Sequence, residues 1–139
     1  MKKILMAHDG SKSSEKALKK ALQVAETFGS SLTILSVIPE LYLTELMALD
    51  RARILDTMTK ETREMMEKIK AKSKHLKSLK TVIRQGDPAD EILKTAEKIK
   101  ADVIITGSHG RHGAQRFLLG SVSSKIVDHA ECDVLVVKK

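Results

Sequence analysis

Five short apolar runs, each separated from the next by a stretch with helical spacing, constrain this chain more than any other feature. The runs are Lys3 to Ala7, Ser31 to Ile38, Leu79 to Arg84, Asp102 to Thr106 and Asp133 to Lys138. Short runs rich in Val, Ile and Leu suit strands covered on both faces. Between the first two, Ala17, Leu18, Ala21, Leu22, Ala25 and Phe28 recur at helical spacing. Ser11 or Ser13 can cap that helix, and Gly29 can end it in a left-handed conformation. Ile54, Met58, Thr62, Met65, Ile69 and Leu76 form one stripe along a long helix from Leu43 to about Leu76, with Met58, Met65 and Met66 read as core. Its first turns, Leu41 to Arg51, are irregular enough for a loop or a separate short helix. Asp87 as N-cap and Pro88 at the first helical position open the next helix, which runs to about Lys100 on Ile92, Leu93, Ala96 and Ile99. Val122, Ile126, Val127 and Ala130 mark the last helix.

Such alternation implies parallel strands joined by right-handed crossovers, with four helical segments on the two faces of one sheet. This is an α/β, doubly wound fold, and 139 residues with no internal repeat or linker fit one domain, 1–139. Ligands of open sheets of this kind sit at the carboxyl ends of the strands, where the strand order reverses. The loops in that position are Asp9 to Ser11, Ile38 to Pro39, Gln85 to Asp87 and Gly107 to Ser121.

Composition narrows the choice of ligand. Aromatic residues make up only 2% of the chain, too few for the stacking platforms of single-stranded nucleic-acid binders. The net charge of +7 comes from Lys and Arg interleaved with Glu, as in Lys60-Glu61-Thr62-Arg63-Glu64, which reads as solvated helix faces. No apolar run approaches the roughly 20 residues of a membrane span. The apolar start meets His8 and Asp9 too early for a signal peptide. Cys132 stands alone between Glu131 and Asp133, so neither an intrachain disulfide nor an activated thiol is expected. The expected compartment is the cytoplasm, with no membrane partner.

The chemistry concentrates in Gly107-Ser108-His109-Gly110-Arg111-His112-Gly113, followed after six residues by Gly120-Ser121-Val122-Ser123-Ser124-Lys125. Glycines allow backbone to approach a ligand so that successive N–H groups face one anion. The helix that begins near Gly120 adds unpaired N–H donors and the positive end of its dipole. Serine hydroxyls can bond phosphate oxygens or hold a magnesium ion, while Arg111 and Lys125 can supply positive charge. The pattern is neither a Walker A loop nor the dinucleotide fingerprint. Read from residues alone, phosphate binding and an ordinary turn with a helix cap stay equally open. Asp9 likewise reads as a turn residue or as a ligand. His109-x-x-His112 lacks a third metal ligand, so no protein-held metal is expected. His109 reads as a loop residue near the phosphates, and His8, His75 and His129 as ordinary.

The spacing Gly107-x2-Gly110-x9-Gly120-Ser121 resembles the ATP-binding signature of the universal stress protein family. The resemblance covers nearly the whole chain and includes Asp9-Gly10-Ser11, Val37-Ile38, Gly86-Asp87-Pro88-Ala89, Thr106 to Arg111 and Val134 to Val137. It implies a five-stranded parallel sheet of order 3-2-1-4-5, similar to adenine nucleotide alpha hydrolases, with the nucleotide at the switch between strands one and four. It further implies Asp9 on the ribose side, backbone at Val37 on the adenine edge, and Thr106 and Gly107 lining the ribose region. Gly110, Gly120, Ser121, Val122 and Ser123 would hold the phosphates of ATP, with Arg111 nearby and Mg2+ bridging them. A homodimer through the last strands, Val134 to Val137, is also implied. Cys132-Asp133 departs from the family, where a proline often precedes that strand. The function so implied is a nucleotide-dependent stress-response switch. The alternative is a slow ATP hydrolase or phosphotransferase, for which Asp9, His109 and Arg111 are near the cradle but none is assigned a catalytic role.

Overall fold

The computed structural model describes residues 1–40, 48–109 and 119–138. In chain order the elements are β1 (Lys3–Ala7), α1 (Lys12–Phe28), β2 (Ser31–Pro39), α2 (Ala48–Lys72), β3 (Leu79–Gly86), α3 (Pro88–Ile99), β4 (Val103–Gly107), α4 (Ser121–His129) and β5 (Asp133–Val137). All strand pairs are parallel and the sheet order is β3-β2-β1-β4-β5, as the family resemblance implies. Among the described residues, five strands and four helices thus bear out the doubly wound reading.

Side chains alternate across the sheet, which explains why β1 is apolar without interruption. Ile4 and Met6 point into a core shared with Ala17, Leu18, Ala21 and Ala25 of α1 and with Met66 and Ile69 of α2. Leu5 and Ala7 point into a second core with Ile92 and Ala96 of α3 and Ile126 of α4. Each face of β1 is therefore sealed by a different helix pair.

The local signals act where they were expected. Ser11 Oγ accepts from the Ser14 N–H at 3.1 Å and caps α1, and Gly29 ends it at φ 63°. Asp87 caps α3 through the Asp90 N–H at 3.0 Å, with Pro88 following. Three apolar expectations fail, one of them at Val127 of α4, which is exposed. Phe28 is 63% exposed, because it is the last residue before the cap and α1 has by then reached the edge from which β2 starts. Ile54 is also partly exposed, and α2 buries only Met66 and Ile69 fully. The helix expected from Leu43 to about Leu76 ends at Lys72; it is described from Ala48, and residues 41–47 lie outside the described set. Among the described residues no helix is long and apolar enough to cross a membrane.

Candidate functional site

The switch of strand order falls between β1 and β4, and β1 is the shorter neighbour of β2. The β1–β2 register ends at Ala7 opposite Leu35, whereas the β2–β3 register continues to Pro39 opposite Gly86. In a parallel pair, alternate residues of a strand direct both backbone groups to the same neighbour. The bonds Ser31 N–H to Lys2 O and His8 N–H to Leu35 O set odd-numbered residues of β2 toward β1. Leu32 N–H to Ser78 O and Glu40 N–H to Gly86 O set even-numbered ones toward β3. Val37 consequently turns its N–H and C=O toward the space beyond the end of β1. The next ladder amide on that side would be Gly10 N–H, but it donates to His8 Nδ1 at 3.2 Å instead. Pro39, also odd-numbered, lacks an N–H on the same open side, so β2 loses no ladder bond by carrying it.

The turn after β1 is built from its own side chains. Asp9 Oδ1 accepts from the Ser11 N–H at 2.9 Å, and the Asp9 N–H donates to Ser14 Oγ at 3.4 Å. Asp9 is only half-buried. The turn role of Asp9 is therefore present in the structure, at the carboxyl end of the central strand. His8, read from sequence as ordinary, is 2% exposed and organises this turn. Its Nδ1 accepts from Gly10, which fixes the proton on Nε2, and Nε2 donates to Glu15 Oε1 at 3.0 Å. The Ser36 hydroxyl donates to His8 O at 2.6 Å and ties the same residue to β2. The signal available in the sequence was a polar side chain at the end of a buried strand, with Glu15 one helical turn inside α1.

On the other side of the switch, β4 ends in Thr106 and Gly107, both within the strand and buried. Gly107 lies against α1: a Cβ there would sit 2.5 Å from Ser13 Oγ and 2.8 Å from the Ser13 carbonyl carbon. Ser108 O accepts the Gly120 N–H at 2.7 Å, which fastens the start of α4 to the end of β4. Ser123 is 3% exposed, and its hydroxyl lies 2.9 Å from Gly107 O and 3.2 Å from Ser108 O. The proton of that hydroxyl is committed to backbone carbonyls, so the donor that Ser123 can offer a ligand is its N–H. Ser121 is exposed and Val122 half-buried, both in the first turn of α4. Gly120 supplies no side-chain cap to that turn. First-turn amides have no acceptor within their helix, so they remain available donors beside the positive dipole end. Gly110 and Arg111 lie outside the described residues, as does His112.

Lys125, expected near the phosphates, is engaged elsewhere. Its Nζ lies 2.8 Å from Asp90 Oδ1 and 3.6 Å from Asp87 Oδ2, so it ties α4 to the start of α3. The Lys125 bond holds the Asp90 carboxyl below the usual carboxylate value, and Asp90 in turn raises the Lys125 ammonium. The lysine lies one turn inside α4, and α3 presents two carboxylates within its reach. Among the described residues no cluster of three His, Cys, Asp or Glu could hold a metal ion. Cys132 is half-buried, and desolvation raises its thiol, with Asp133 adding to the effect.

The profile of the Universal stress protein family matches residues 1–138. A universal stress protein of Methanocaldococcus jannaschii is 36% identical over 140 residues, covering 99% of this chain and 82% of the relative. The solved universal stress protein UspA from Lactobacillus plantarum superposes with a TM-score of 0.89 at 28% identity, covering 98% of this chain and 97% of that one. A universal stress protein solved in complex with cAMP is similar at a TM-score of 0.68 and 26% identity, covering 99% of this chain and 96% of that one.

Proposed function

This chain belongs to the universal stress protein family, and we propose that it binds ATP at the β1/β4 switch and acts as a nucleotide-dependent regulatory switch. The observation that carries the reading is the uncapped start of α4, fastened by Gly120 to Ser108 at the end of β4. A helix start of this kind is a seat for phosphate, because unpaired N–H donors and the dipole act on the same anion. The open N–H and C=O of Val37 supply a complementary donor and acceptor for the edge of a purine. That a structural neighbour is solved with cAMP supports an adenine nucleotide as the class of ligand.

In this reading the N–H groups of Ser121, Val122 and Ser123 hold phosphate, with Gly110 and Arg111 contributing from the loop before α4. Asp9, Thr106 and Gly107 shape the ribose side. Mg2+, held by the phosphates rather than by a protein cluster, would offset their charge. Output comes from ordering the loop between β4 and α4 when nucleotide binds, which shifts the affinity for a partner. A homodimer forms by pairing β5 with its copy: β5 is an edge of the sheet and exposes Leu135. The protein works in the cytoplasm.

The test is Gly120→Asp. An aspartate at the N-cap can cap α4, gaining about a few tenths of a kcal/mol over glycine. The same carboxylate repels a phosphate seated there. Wild-type protein is expected to bind ATP with Mg2+ in calorimetry and to release adenine nucleotide on denaturation. Gly120→Asp is expected to keep its melting temperature and lose at least about tenfold in affinity, equivalent to about 1.4 kcal/mol. Equal ATP affinity in the two proteins, or none in the wild type, would overturn the reading.

A further inference from the structure

The positive charge of the chain is not evenly spread. Up to Glu67 the cations of α2 are interleaved with acidic residues, but the stretch from Lys68 to Gly86 holds six lysines and Arg84 with no Asp or Glu. Those seven cations equal the net charge of +7 of the whole chain. The pattern that reads as a solvated helix face therefore ends at Glu67, and the expectation of no membrane partner rested on that pattern. The six lysines, from Lys68 to Lys80, are all exposed. Among the described residues only Lys70 of the six has an ion pair, to Glu67 at 3.8 Å. Lys70 and Lys72 lie in the last turn of α2, where they offset the helix dipole. Lys74, Lys77 and Lys80 lie beyond that helix, so its dipole does not account for them.

The fold gathers this charge beside exposed apolar side chains at the starts of the strands, the end of the sheet opposite the β1/β4 switch. Ser31 N–H donates to Lys2 O and Leu32 N–H to Ser78 O, so the chain at Lys2, Ser31 and Ser78 runs on three neighbouring strand lines about 4.8 Å apart. Ser30 Oγ donates to Met1 O at 2.6 Å. His75 Nε2 lies 4.0 Å from Glu26 Oε2, which holds the end of α1 beside the turn that carries Lys74 and Lys77. Phe28, 63% exposed, and Met1, 57% exposed, thus stand at the same pole as the lysines. A duplex backbone or an acidic protein surface matches the charge but leaves Phe28 in water. A bilayer with anionic headgroups offers both fixed negative charge and an apolar boundary for the ring. We infer that this pole docks the protein on an anionic lipid surface, with the lysines on headgroup phosphates and Phe28 at the acyl boundary. The contact is with the surface and spans nothing, and it leaves the carboxyl ends of the strands facing solvent.

The experiment sediments the full chain with vesicles of phosphatidylglycerol and phosphatidylcholine, and with vesicles of phosphatidylcholine alone, at about 0.1 M salt. Wild type is expected to pellet with the anionic vesicles only. A lysine near an anionic surface contributes about fivefold in partitioning, so Lys74→Glu/Lys77→Glu is expected to lose about 25-fold or more. Phe28→Ser is expected to lose about tenfold at unchanged charge. Lys60→Glu/Arg63→Glu makes the same change of net charge farther back along α2, more than a Debye length of about 10 Å from the pole, and is expected to lose less than about threefold. All of these side chains are exposed, so the melting temperatures are expected to match wild type. Equal losses in the two charge variants, wild-type binding by Phe28→Ser, or no preference of wild type for anionic vesicles would overturn the inference. Duplex DNA or polyglutamate that strips wild type from the vesicles at equal negative charge would assign the pole to another partner and overturn it too. Should Lys74→Glu/Lys77→Glu not fold, spin-labelled lipid in anionic vesicles must broaden the wild-type amide resonances of Phe28, Lys74 and Lys77 more than that of Lys60; equal broadening refutes the docking.

Discussion

Gly107→Ala separates two reasons for a glycine at the end of β4. If Gly107 serves only to let a ligand approach, alanine lowers nucleotide affinity and leaves the unliganded fold untouched. The geometry points to the other reason. A Cβ at 107 would lie 2.5, 2.8 and 2.9 Å from Ser13 Oγ, C and O, against about 3.5–4.0 Å for carbon atoms in contact. Two of those three atoms are backbone, so no change of rotamer relieves them. The first turn of α1 must retreat from β4 by about an ångström. Overpacking of this kind costs about 1–3 kcal/mol.

An opposing effect is smaller. Gly107 is not among the glycines with positive φ, which are Gly10, Gly29 and Gly86 among the described residues, so alanine is conformationally allowed at 107 and restricts the unfolded chain, returning about 0.4–1 kcal/mol. The net loss is about 1–2 kcal/mol. With about 2.1 cal/mol/K per residue of unfolding entropy, that lowers the melting temperature of a chain of this length by about 3–7 °C. Calorimetry without nucleotide measures it. Adding Ser13→Ala removes only the Oγ contact and should not restore stability, since the Ser13 C and O stay in place. An unliganded Gly107→Ala protein that melts within about 1 °C of wild type would refute the packing argument.

Three further outcomes follow from the same structure. Val37→Pro removes an N–H that faces the open side of β2 and leaves the β3 ladder whole, so it should weaken ATP binding more than it lowers the melting temperature; an unchanged affinity in calorimetry would place the purine elsewhere. The Asp102 carboxylate accepts from Lys3 N–H at 2.8 Å and Lys2 N–H at 2.9 Å, which holds it below the ordinary value of 3.8. A depressed carboxyl contributes stability above its unfolded value and loses it as pH falls through the folded one. Urea midpoints should therefore drop between about pH 4 and pH 2 in wild type, and drop less over that range in Asp102→Asn. Cys132, raised by desolvation, should alkylate with iodoacetamide at pH 8 more slowly than free cysteine; faster labelling would mean the site is open.

What the sequence made legible was local or periodic. Asp87-Pro88 and Gly29 act through bonds to residues within five positions, so their meaning is contained in a short window. The five apolar runs betrayed two-sided burial without any partner being known. The readings that moved depend on contacts across the chain. Ser11 and Ser13 are chemically equal cap candidates, and the choice is made by β4, because Ser13 is taken up by Gly107 and the His109 N–H. Lys125 beside a glycine-rich loop reads as a phosphate contact until α3 is brought against α4 with Asp87 and Asp90 on its near side. His8 looked inert because neither the turn amide nor the hydroxyl of Ser36 that clasps it can be inferred from its neighbours.

The open edge of β2 at Val37, in the candidate site, has no motif at all. It arises because β2 continues through Ser36, Val37, Ile38 and Pro39 after β1 has stopped at Ala7. Were β1 longer by two residues, its amides would satisfy Val37 and close the edge. His8 prevents that by drawing the Gly10 N–H onto its own ring, and Gly10, at φ 82°, turns the chain into α1. Proline at 39 is tolerated for the same reason that Val37 is available: the neighbour on that side has ended. The identity of the Val37 side chain matters little to this arrangement, whereas the length of β1 matters throughout. A property set by the difference between two strand lengths is invisible to any pattern read along one of them.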